Sequence, residues 1–63
     1  MDRLSEKVRE LRKKKGWAQE DLAREIEVSL STVQRWEKQG ARPTRLARRE
    51  LAKLFKEAGI SNE

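Results

Sequence analysis

Apolar residues recur along this chain at helical spacing, in four short stripes separated by polar or glycine-marked breaks. Leu4, Val8 and Leu11 follow i, i+4, i+7 and predict a first helix, with Asp2 as its N-cap. Lys13, Lys14 and Lys15 put positive charge at its C-terminal end, and Gly16 suits the position just beyond. The lysine run complements the helix dipole; contact with phosphate is the alternative reading. Trp17 follows the glycine and is assigned to the core.

A second helix is expected from about Gln19 to Ile26, with Leu22, Ala23 and Ile26 inward. Glu20 and Asp21 favour its N-terminus electrostatically. Ala18 is a poor N-cap there, costing about 1 kcal/mol against Ser or Thr. Glu27 and Val28 form a turn, with Val28 buried. Ser29 then caps a third helix that runs to Lys38 or Gln39. Val33 and Trp36 share its inner face, whereas Ser31, Arg35 and Lys38 point the opposite way with Gln34 beside them. Leu30 lies between the two faces.

Gly40 to Pro43 is a loop, and Thr44 can cap a fourth helix. Its stripe is Ala47, Leu51, Leu54, Phe55 and Ala58, with Leu46 flanking. Gly59 ends it, and Ile60 folds back in a Schellman-type contact. No strand pattern, repeat or linker is evident. The fold class is therefore all-α: a compact bundle of four short helices, or five if a rudimentary one follows. Residues 1–60 read as one domain, with 61–63 as a frayed C-terminus.

Composition narrows the function more than the fold. Sixty-three residues bury only about 60% of the unfolded surface, so stability rests on one small core. Without cysteine there is neither a disulfide nor a thiolate zinc site, and without histidine the commonest general base and metal ligand are missing. Ser5, Ser29, Ser31 and Ser61 sit in helix or cap contexts with no nucleophile signature. The carboxylates interleave with Lys and Arg as surface pairs do. No glycine-rich phosphate loop occurs. The chain is not expected to be an enzyme, and no metal, cofactor or small-molecule ligand set is evident. Since no apolar run exceeds two residues, neither a signal peptide nor a membrane span is expected. A cytoplasmic location is the default, on the nucleoid in a bacterium or phage.

The net charge of +5 is concentrated. Residues 1–34 carry eight Lys/Arg against seven Asp/Glu, and residues 50–63 carry two against three, whereas Arg35 to Arg49 holds six against one. A clustered basic patch on a small domain suggests a polyanionic partner. Two short helices joined by a tight turn can place the second in the DNA major groove. Val33 and Trp36 would hold such a helix on its scaffold, leaving Ser31, Gln34 and Arg35 to carry donors and acceptors. Gln can pair with adenine N6/N7 and Arg with guanine O6/N7.

The pattern Arg12…Gly16-Trp17-Ala18-Gln19-Glu20-Asp21-Leu22-Ala23…Val28-Ser29…Thr32-Val33…Trp36-Glu37…Gly40…Pro43 resembles the lambda-repressor-like helix-turn-helix family, also called XRE or Cro type. The resemblance runs from Leu4 to about Phe55 and places the helix-turn-helix at about 19–39, with a recognition helix at about 29–39. It implies sequence-specific binding of double-stranded DNA by a transcriptional repressor or regulator, on near-palindromic sites, as a homodimer formed either in free solution or only on DNA. It also implies residue roles. Gln19 would bind phosphate from the start of the second helix. Leu30, Ser31, Gln34 and Arg35 would face base edges or the adjoining backbone, with Leu30 touching a thymine methyl or else capping the core. Lys38 and Arg42 would clamp phosphate, and Arg12 and Glu37 would pair between the first and third helices.

Three departures from the family pattern stand out. Glu27 occupies a turn position that is usually Gly, so it must adopt a left-handed conformation or a different turn. Ala18 stands where Ser or Thr is usual. The fifth helix often found in the family has no counterpart before the chain stops near Ile60. An antitoxin or other protein-interaction module of the same fold, and a helical scaffold without a ligand, are the alternative functions. The core is expected to comprise Leu4, Val8, Leu11, Trp17, Leu22, Ile26, Val28, Val33, Trp36, Leu51, Leu54 and Phe55.

Overall fold

A computed structural model describes residues 3–60, with side chains from Leu4 onward. The Asp2 cap and the fraying of residues 61–63 lie outside the described residues. Within them the chain forms α1 (Arg3–Lys15), α2 (Gln19–Ile26), α3 (Leu30–Lys38) and α4 (Arg45–Glu57), with no strand. No fifth helix occurs in this range. No described helix is long and apolar enough to cross a membrane.

The starts of α2, α3 and α4 and the ends of α1, α2 and α4 rest on local devices. Ser29 accepts the Thr32 N–H at 3.2 Å to start α3, and Thr44 accepts the Ala47 N–H at 3.2 Å to start α4. Ala18 offers α2 no side-chain acceptor. The Asp21 carboxylate instead reaches back and takes the Ala18 N–H at 2.8 Å, half of a capping box. At the other ends, the Trp17 N–H bonds the Arg12 carbonyl at 2.8 Å, and the Ile60 N–H bonds the Phe55 carbonyl at 2.8 Å. These six-residue closures are Schellman ends, with Gly16 and Gly59 in the left-handed region.

The turn between α2 and α3 closes by the same device without glycine. Glu27 adopts φ 64°, ψ 46°, and the Val28 N–H bonds the Ala23 carbonyl at 2.9 Å. Of the two options open to Glu27, the left-handed one is taken. For a residue with a Cβ that conformation costs roughly 1–2 kcal/mol, part of which glycine would lose again through its freer unfolded chain. Glu27→Gly is therefore expected to stabilise the fold by about 0.5–1 kcal/mol, read as a raised urea midpoint at unchanged slope. A lowered midpoint would mean that the Glu27 side chain itself holds the turn.

The helices close on a core of Val8, Leu11, Leu22, Ala23, Ile26, Val33, Trp36, Ala47, Leu51, Phe55 and Ile60. Helix α3 packs on α1 and α2, and α4 packs on the same two helices. Four residues expected in the core lie at its rim instead. Leu4, Trp17, Val28 and Leu54 pack against the cluster but are only partly buried. Leu4 occupies the open first turn of α1. Trp17 turns one side to the Lys15 ammonium, 5.7 Å from the ring centroid. Val28 faces the grooves beside the turn, and Leu54 sits at the edge of the α4 stripe. Leu46 does not flank the core: it is 74% exposed.

The lysine run joins helix ends. Lys14 donates to the Ala58 carbonyl at 3.2 Å, and Lys15 lies 3.7 Å from the Glu57 carboxylate. Both contacts put cations at the negative end of α4, which ties its last turn to that of α1.

Candidate nucleic-acid interface

Helix α3 has two faces with opposite chemistry. Val33, Trp36 and Glu37 are buried, whereas Ser31, Gln34, Arg35 and Lys38 are exposed. The exposed positions step along one side of the helix, with Leu30 partly exposed at its start. Arg42, in the loop that follows, is exposed as well. Arg35 and Arg42 line one groove of about 350 Å³ between α3 and that loop, together with Thr32, Trp36 and Thr44. The Ser31 hydroxyl is 3.1 Å from that of Ser29 and so joins the cap that starts the helix.

The buried charge on the inner face fixes how α3 sits. Glu37 has a side chain only 4% exposed. Arg12 grips it from α1 in a two-point fork, Nε to Oε2 at 2.6 Å and Nη2 to Oε1 at 2.9 Å. Gln19 donates its side-chain N–H to Oε1 at 3.3 Å from the first position of α2. Arg9 adds a longer ion pair at 3.6 Å and donates to the Glu37 backbone carbonyl at 2.7 Å, where the last carbonyls of α3 need donors. A single carboxylate thus ties α3 to α1 and α2.

Burial alone would raise the Glu37 pKa. Hydrogen bonds from Arg12 and Gln19, with the charges of Arg12 and Arg9, more than offset it and hold the carboxyl below its ordinary range. Arg12, hydrogen-bonded to Glu37 against the cost of desolvation, is held more firmly charged. A carboxyl depressed on folding contributes stability above its unfolded pKa, about 4.3, and loses it as pH falls through the folded value. The urea midpoints of wild type and Glu37→Gln should therefore converge as pH drops below about 4.3. A constant gap would assign the acid sensitivity to another group.

Gln19 is thus placed at the N-terminus of α2, partly buried, with its side-chain amide engaged by Glu37. Arg9 is the residue that the pattern of apolar positions passes over. It lies three residues before Arg12 on the same side of α1, and that spacing is the signal that could have found it.

Of the fifteen cations with described side chains, six make ion pairs and nine do not, the latter being Lys7, Lys13, Lys56 and six from the basic segment. Arg9, Arg12, Lys14, Lys15, Arg24 and Lys53 all make ion pairs. Among the described residues, no ion pair or hydrogen bond engages the side chains of Arg35, Lys38, Arg42, Arg45, Arg48 or Arg49, and all six are exposed. The basic segment is left uncompensated along its whole length. No group of residues suited to hold a metal ion occurs among those described.

Comparison with known families finds that the helix-turn-helix family model matches residues 8–57. No curated protein and no solved structure gives a significant match.

Proposed function

Because the chain belongs to the lambda-repressor-like helix-turn-helix family, a DNA-binding family, we propose that it binds double-stranded DNA sequence-specifically, with α3 in the major groove, and represses transcription by occupying its site. The observation that carries this reading is the pairing of a rigidly seated inner face with an exposed face of Ser31, Gln34 and Arg35. Base readout needs side chains held in register, and the Glu37 contacts hold α3 against two other helices.

In this reading Gln34 takes adenine N6/N7 and Arg35 takes guanine O6/N7, each good two-point contact giving about 1–3 kcal/mol of discrimination. Leu30 meets a thymine methyl. Lys38 and Arg42 clamp phosphates beyond the helix, and Gln19 offers its remaining amide hydrogen to phosphate on the other side. Two copies occupy a near-palindromic operator with half-sites about one helical turn apart, and the pair forms on the DNA. Selection from a pool of random duplexes tests the proposal. A recurrent half-site motif is expected. Recovery of unrelated sequences with equal affinity would reduce the interface to phosphate attraction alone.

A further inference from the structure

Trp36 is only 2% exposed, yet its indole N–H has no hydrogen-bond partner among the described residues. A buried tryptophan usually finds a partner for that donor. Among the described residues no fully buried side-chain nitrogen or oxygen lacks one, so the indole nitrogen lies in the small part of the ring that is open. Trp36 lines the groove of about 350 Å³ between α3 and the loop that follows, and its open edge faces that groove. The other side chains that line it and remain unengaged are donors too. Arg35 and Arg42 have neither an ion pair nor a hydrogen bond. The Thr44 hydroxyl already accepts the Ala47 N–H at 3.2 Å, which leaves its own hydrogen to donate. No carboxylate lines the groove.

We infer that this groove is an oxyanion site with the Trp36 indole N–H as its fixed donor. An indole N–H and two guanidiniums offer hydrogens and accept none. The occupant must therefore bring acceptors, and the uncompensated positive charge selects a negative one, with phosphate or carboxylate oxygens. Val28, Ala41 and Ala47 add apolar surface to the lining, which suits the carbon body that carries the anion. Because its ring is packed in the core, the Trp36 donor is already in place, whereas the two exposed arginines become ordered on binding. Trp36 thus serves α3 twice: the ring anchors the helix, and the nitrogen at its edge binds a ligand.

Two sources supply such an oxyanion: the backbone of a duplex, or a free phosphate or carboxylate. In the first case Trp36 joins Arg42 in holding one backbone phosphate. In the second the anion engages Arg35 and Arg42 and competes with DNA for them. The duplex form of the inference rests on the DNA reading above. The free-anion form needs no DNA, so either proposal can fail alone.

The two indole N–H resonances of the whole chain, told apart by Trp17→Phe, are followed while inorganic phosphate, acetate, dimethyl phosphate or a short duplex is added at constant ionic strength. A saturable downfield shift of the Trp36 indole proton is expected, with that of Trp17 unmoved. A shift with the small anions assigns the site to a free oxyanion; a shift with the duplex alone assigns it to the DNA backbone. Arg42→Ala should weaken whichever ligand shifts the proton by roughly tenfold, the loss of one charge-assisted contact. Because Arg42 is exposed, that variant keeps the helical circular dichroism of the wild type. Trp36→Phe keeps a ring in the core and removes the donor, so the folded variant should bind more weakly; if it unfolds, the wild-type indole proton and Arg42→Ala decide. A Trp36 indole proton that none of the four ligands moves, one that moves no more than that of Trp17, or binding unchanged by Arg42→Ala would each overturn the inference.

Discussion

Replacing Arg12 with alanine is expected to remove about 3 kcal/mol of stability, the lower end of what breaking a buried ion pair costs. Arg12 is itself 22% exposed, whereas the Glu37 side chain it grips is only 4% exposed. Removing the arginine leaves a carboxylate that water scarcely reaches. Gln19 and Arg9 remain nearby, which is why the lower end of the range applies. A chain of 63 residues has roughly 3–9 kcal/mol of stability in all, so the loss is a large share of it. Urea denaturation followed by circular dichroism measures it directly. The double variant Arg12→Met/Glu37→Leu separates charge from packing. Replacing both partners by apolar side chains of similar size removes the stranded charge, and most of the stability should return. If Arg12→Ala alone is neutral, the fork contributes nothing and α3 is held by Val33 and Trp36.

The second large effect concerns binding. Arg35→Ala is expected to weaken binding to the selected duplex by about 1–3 kcal/mol, roughly 5- to 150-fold, with unchanged thermal unfolding. The arginine is exposed and its side chain makes no hydrogen bond or ion pair, while the backbone carbonyl that closes α3 is kept in the variant. Discrimination should relax at one base pair of the site. Neutralising Lys38 and Arg42 should act differently, weakening all sequences alike and lowering the slope of log K against log salt by about one for each phosphate no longer neutralised. Titrations at several salt concentrations distinguish the two behaviours. Equal weakening on matched and unmatched duplexes for Arg35→Ala would move that residue from base readout to phosphate binding.

The helix ends are legible in the sequence because each rests on a local device. Ser29, Thr44, Gly16 and Gly59 act within a few residues of themselves, and their neighbours are enough to predict what they do. The same locality explains what sequence leaves open at Glu27. Two turns are compatible with it, and the chain takes the left-handed one, in which the Val28 N–H closes on the Ala23 carbonyl. Ala18 looks like a weak start because the compensation comes from Asp21, a residue otherwise accounted for by the helix dipole.

Burial is less legible than periodicity. A stripe of apolar positions gives the direction of the core but not its depth, which is why Leu4, Trp17, Val28 and Leu54 prove to be rim residues and Leu46 a surface one. The candidate interface divides in the same way. Spacing on a helical wheel separates the outward set from the anchors. Long-range partners, by contrast, join residues 25 or 28 positions apart, and no local pattern reports them. Arg9 bonding the end of α3 belongs to that class, as does Lys14 bonding the end of α4.

The brevity of α3 has a consequence for any measurement of affinity. It has nine residues, fewer than the roughly 12–15 below which an isolated helix is marginal in water. Helix α3 therefore has no stable existence apart from the folded chain. Its hydrogen-bonded amides, from Thr32 onward, should exchange with solvent through global opening, at the same free energy as those of the buried core. The apparent dissociation constant then equals the intrinsic one divided by the folded fraction, so a variant that destabilises the fold presents itself as a weaker binder without touching the interface. Conversely, in the proposed reading a saturating duplex protects the whole chain, raising its unfolding temperature with the logarithm of the ratio of DNA concentration to dissociation constant.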